Sequence, residues 1–135
     1  MSILFELERM ERLVADLDEL RRPKKFPVTE YFLREGKEGG PAGPLEEWET
    51  CDIQEPWKTL ESHRWYRTTV KIPQEFDHCH VEFLITTGRE GQWDATNPQM
   101  LFYLNGKIVQ GVDVNHREIC ISRSAKAGEP YEIAF

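Results

Sequence analysis

Two polar stretches hold the residues best suited to chemistry in this chain. Residues 87–98 read T-G-R-E-G-Q-W-D-A-T-N-P and place Trp93 beside Asp94 and Asn97. An indole plane next to short polar groups suits a sugar, because the ring covers the apolar face of a pyranose while carboxylates and amides take its hydroxyls. The second stretch gathers Asp113, Asn115, His116 and Arg117 within five residues. The same residues also suit structural roles: Trp93 as a cap on a sheet edge, Asp94 and Asn97 as turn caps, or the whole segment as a contact to a neighbouring domain. A third group, His78-Cys79-His80, spaces two imidazoles as metal ligands on a strand would be. It lacks a third ligand in any recognised spacing, so two solvent-facing histidines are the better account.

No other pattern signals a reaction. The sequence has no GxSxG, HExxH, phosphate-binding loop or GxGxxG. Its three cysteines, Cys51, Cys79 and Cys120, form no CxxC pair, and Cys79 and Cys120 are expected as small buried strand residues. A carboxylate pair acts on a glycosidic bond only when held across one cleft, and the 24 acidic residues fall mostly on the helix and in loops. Neither a catalytic residue nor a metal ligand is assigned.

The elements that position the polar stretches are legible from apolar spacing. Ile3, Leu7, Met10, Val14 and Leu17, widened by Leu13 and Leu20, recur at intervals of three and four, so residues 1–22 form an amphipathic helix that Pro23 stops. That stripe must be covered, by its own domain or by a second subunit or domain. Residues 23–47 are expected as linker and exposed loop, given Gly36, Gly39, Gly40, Pro41, Gly43 and Pro44. From residue 48 onward the period falls to two. Tyr66, Thr68, Val70 and Ile72 face one way while Trp65, Arg67, Thr69 and Lys71 face the other. Cys79, Val81, Phe83 and Ile85 share a face opposite His78, His80, Glu82 and Thr86. Asn105-Gly106 between apolar runs marks a type I′ hairpin, since both central residues need positive φ. Ile119 and Ile121 mark another strand, and Tyr131, Ile133 and Phe135 a last one. The fold class is therefore mainly β, an antiparallel β-sandwich over residues 48–135 preceded by an amphipathic N-terminal α-helix. The last strand is expected to be truncated and to leave an adhesive edge.

Composition narrows the partners. With 39% hydrophobic and 30% charged residues over 135 positions, the chain matches one globular domain. A formal net charge of −7 and the lack of a dense basic stripe argue against nucleic acid. The basic cluster Arg21, Arg22, Lys24 and Lys25 suits a solvated helix end. Glu6, Glu8, Arg9, Glu11 and Arg12 interrupt any leader-like apolar core, and no stretch approaches a membrane span; a cytoplasmic location is expected.

The order of residues 87–98, Leu104-Asn-Gly-Lys107, Gln110-Gly111, Asp113-Val-Asn-His-Arg-Glu118 and Ala125-Lys-Ala-Gly-Glu129 resembles the N-terminal region of glycoside hydrolase family 38 α-mannosidases, of the cytosolic and vacuolar type. The resemblance runs from about residue 48 to 135. It implies a galactose-binding-like, jelly-roll type sandwich ahead of a β/α barrel, in a parent enzyme that removes terminal α-mannose by a zinc-dependent retaining mechanism. The barrel's zinc-ligand motif has no counterpart here, so the resemblance puts no cofactor in this segment and zinc in the absent catalytic domain. It implies a non-catalytic domain whose partner is the barrel of the same parent chain. Two further functions stay open: an autonomous carbohydrate-binding module for mannose-containing oligosaccharides, and an oligomerisation domain acting through the N-terminal helix.

Overall fold

The structure, a computed structural model, describes residues 3–54, 62–88 and 97–135. Its elements in chain order are helix α1 (Ile3–Arg21) and strands β1 (Glu30–Glu35), β2 (Glu49–Asp52), β3 (Arg64–Lys71), β4 (Val81–Leu84), β5 (Met100–Leu104), β6 (Lys107–Val112), β7 (Glu118–Ser122) and β8 (Pro130–Ala134). Short 3-10 turns at Leu45–Glu47 and Gln74–Phe76 follow Pro44 and Pro73, whose fixed φ and missing N–H suit the entry to a turn.

The described strands form two antiparallel sheets. One has the order β2-β1-β3-β8-β5-β6; the other is the pair β4-β7. Alternation decides which side chains meet between them. Tyr66, Thr68 and Val70 of β3 face inward with Ile133 of β8 and Phe102 of β5, while Phe83 and Ile119 face them from the smaller sheet. Phe102, Ile119 and Ile133 are fully buried. Aromatic rings join the layers: Phe83 of the small sheet lies 5.5 Å from Phe102 and 6.5 Å from Phe135. Burial of this apolar area is the main force holding the layers together.

The β5–β6 hairpin turns at Asn105 (φ 49°) and Gly106 (φ 78°), the paired positive values that a type I′ turn demands. The Asn105 carboxamide oxygen also accepts the Glu132 N–H at 2.9 Å, tying the turn to β8.

Several expectations are corrected. β1 lies inside residues 23–47, expected as linker, and is a central strand paired with both β2 and β3. Its apolar run, Tyr31-Phe32-Leu33, is too short to show a period, and only its neighbours make it a strand. The expected adhesive edge is absent at β8, which lies between β3 and β5, with Phe135 buried against Tyr31 and Phe102. Cys120 is exposed rather than buried, because inward Ile119 and Ile121 turn it outward. His78 and His80 do not share a strand face: His78 sits in a turn at φ 62°, and β4 begins only at Val81.

The Gly/Pro-rich loop after β1 folds over the outer face of the large sheet. Arg34 donates to the Gly40 carbonyl and Arg67 to that of Gly43. Both guanidinium groups lie over buried Trp48, at 4.5 and 5.4 Å from its ring. Gly39 (φ 86°) has no Cβ for a reason: one there would meet the Arg34 guanidinium at 3.0 Å.

α1 behaves differently. All nineteen of its residues are exposed, and no described element covers its apolar stripe.

Candidate binding site

The two polar stretches are two of the four connections that pass between the sheets. Residues 85–99 lead from β4 to β5, and residues 113–117 lead from β6 to β7. Antiparallel pairing brings both to one end of the sandwich. The Ile85 N–H donates to the Arg117 carbonyl at 3.1 Å, just beyond the Leu84–Glu118 pair of β4 and β7. Across the large sheet, Met100 pairs with Val112. Asn97, Asp113, Asn115, His116 and Arg117 are thus gathered at one end, as neighbours in space. Trp93 and Asp94 lie outside the described residues.

Thr87 and Asn97, on either side of residues 89–96 in the chain, are joined directly. The Thr87 hydroxyl donates to the Asn97 carboxamide oxygen at 2.9 Å, and Asn97 is buried. This bond joins two residues ten apart in the chain. In the sequence Thr87 is simply the first residue of the 87–98 stretch, with nothing to mark its bond to Asn97. Its signal is available only in retrospect, as a hydroxyl facing a polar residue across a loop.

Asp113 organises the second crossover. One carboxylate oxygen accepts the backbone N–H groups of Asn115 and His116, both at 2.8 Å, and contacts His116 Nδ1 at 2.9 Å. The His116 ring, first, and then the Asn115 N–H hold the Asp113 carboxyl below its ordinary range. The contact with Asp113 engages Nδ1 of the His116 ring, which is otherwise exposed. Asp113 and Asn115 therefore serve the turn, and the exposed groups are the Asn115 side chain and the His116 ring.

Helix α1 is tied to this same end. Arg22 forms ion pairs with Asp18 and with Glu118, the first residue of β7, while Gln110 donates to the Glu118 carbonyl. Lys24, two residues further on, reaches the Glu75 carbonyl at 2.6 Å in the β3–β4 connection, toward the opposite end. Two of the four cations expected to be merely solvated are thus the fastenings between helix and sandwich, a role that residues 96 apart in sequence do not disclose.

Among the described residues, no group of three His, Cys, Asp or Glu side chains is arranged to hold a metal ion. His78 contacts Asp77 and His80 contacts Glu82, each at 3.3 Å, as separate surface pairs. An apolar cavity of about 50 Å³ lies at the other end of the sandwich, among Phe26, Phe76, Val81, Ile121 and Tyr131. Sites for small molecules typically enclose roughly 300–1,000 Å³, so this cavity is too small for a sugar. No described helix is long and apolar enough to cross a membrane.

The class these features define is an antiparallel β-sandwich with an N-terminal helix and a polar crossover end. Compared with known proteins, the chain matches no family model, no curated protein and no solved structure.

Proposed function

We propose that this chain is the non-catalytic N-terminal domain of a cytoplasmic family 38 α-mannosidase, and that its crossover end is the surface turned toward the catalytic barrel. One observation carries the reading. Two of the five stretches that carry the resemblance meet this end of the fold: the Ile85 N–H, two residues before 87–98, donates to the Arg117 carbonyl within 113–118. In this reading the domain packs against the barrel or forms one wall of its substrate entrance. The reaction, with its zinc, belongs to the barrel, and the residues described here take no step in it.

The test is an antibody against this domain, used on native extract fractionated by size and assayed with an aryl α-mannoside. Antigen that tracks the activity in a chain several times longer supports the reading. Antigen at 15.9 kDa, apart from the activity, sinks it.

A second reading, an autonomous mannose-binding module, is favoured by the Thr87–Asn97 hydrogen bond, which puts a buried polar group at the same end as the 113–117 crossover. It predicts heat on titration with mannobiose that Trp93→Ala abolishes. A flat titration of the unaltered chain removes it.

A further inference from the structure

The apolar stripe of α1 poses a physical problem. Ile3, Leu7, Met10, Val14, Leu17 and Leu20 are 53–83% exposed, and Leu4, Phe5 and Leu13 add to them. A single helix of nineteen residues is marginal in water, because nucleation is costly and packing of an apolar face supplies most helical stability in proteins. Among the described residues, the contacts that fasten α1 to the sandwich lie just past its C-terminal end, at Arg22 and Lys24.

We infer that α1 packs against α1 of a second copy of this chain, as a symmetric antiparallel pair. The area suffices. Two such stripes facing each other remove on the order of 1,000–1,300 Å² from water, which clears the ~1,000 Å² that a specific interface needs. The line from Ile3 through Leu7, Met10 and Val14 to Leu17 holds no charged residue, so no ion is stranded in the contact. A twofold pairing also asks for nothing outside the chain, since each helix supplies the surface the other lacks.

Charge selects the orientation. Parallel packing sets Glu6 beside Glu6 and Arg21 beside Arg21, with the two helix dipoles aligned. Antiparallel packing brings Glu6, in the first turn of one helix, near Arg21 in the last turn of the other, and opposes the dipoles. A twofold axis near Leu13 and Val14 then places the two sandwiches at opposite ends of the pair, where they do not collide. The helix carries six acidic and three basic residues, so like-charge repulsion remains between the copies and added salt tightens the pair.

The inference is independent of any parent enzyme. Its test is sedimentation equilibrium of the full chain, alone and with Met10→Asp plus Leu17→Asp. Both positions lie outside the core, so intrinsic tryptophan fluorescence should stay unchanged in the variant. The expected result is a species of twice 15.9 kDa that becomes single in the variant, with loss of far-ultraviolet helical signal. A single-mass species of the unaltered chain at about 100 μM, where even a micromolar dimer is saturated, overturns the inference. A dimer that survives both substitutions also overturns it, since its contact would then lie elsewhere.

Discussion

The interior of the sandwich and the stripe of α1 are both apolar faces written in a regular period, yet they meet opposite fates. Phe102, Ile119 and Ile133 are sealed between two sheets, whereas Leu7, Met10 and Leu17 are open along their length. The difference lies in partners. Each sheet finds the other within the same chain, because the chain passes repeatedly from one sheet to the other. The helix leaves the sandwich beside β7 and meets no apolar surface of its own. Periodicity states that a face needs covering; it does not state what covers it.

The largest expected effect falls on the covered side. Phe102→Ala empties a fully buried site that touches Phe83 and Phe135, and should cost about 3–5 kcal/mol in urea unfolding. A loss below about 1 kcal/mol would mean that the two sheets are not packed as described.

Tyr31 gives the next effect. Burial pushes its phenol up to about 12, because the phenolate is poorly solvated between the sheets. The folded value lies above the unfolded one, so the contribution is complete below pH 10 and fades as pH rises through 12. It is worth roughly 2–3 kcal/mol, from two pH units at 1.36 kcal/mol each. Unfolding followed from pH 9 to 12 should show this fall, and Tyr31→Phe should flatten it.

Asp113 gives a smaller, local effect of opposite sign. Its folded carboxyl titrates below the ordinary range, so its contribution is present above the unfolded value and is lost as pH falls through the depressed one. The Asp113 carboxyl carbon resonance should therefore titrate low, and Asp113→Ala should shift amide resonances of residues 113–117 while sparing those of β3 and β8.

The smallest effect falls on the uncovered side. Leu17→Ala should change unfolding of the sandwich by less than about 0.5 kcal/mol in dilute protein, although leucine-to-alanine in a core costs several-fold more. A core-sized loss would erase the contrast between the two faces.

The sequence made much of the fold legible. The helix over Ile3–Arg21, the inward set Tyr66, Thr68 and Val70, and the Asn105-Gly106 turn all follow from local rules, namely period 3.6, period 2 and positive φ at two adjacent residues. β1 was not legible, since six residues with a three-residue apolar run carry no reliable period. The place of β8 was not legible either. Local pattern tells which side chains share a face, but strand order depends on which distant strands pair.

The candidate site divides along the same line. The polar residues of the 113–117 crossover, with Asn97, stood out by type, and one sequence can show that. Their convergence depends on the pairings Met100–Val112 and Leu84–Glu118, and the Thr87–Asn97 and Arg22–Glu118 contacts depend on the same closure. By itself, then, the sequence determined the elements, their inward faces and the chemistry on offer. Only the tertiary structure decided that β8 is central, that the two polar crossovers share one end, and that α1 stands uncovered. Periods and turn preferences act between near neighbours. Sheet order and site assembly are settled by contacts between residues far apart in the chain, which form only when the whole sandwich closes.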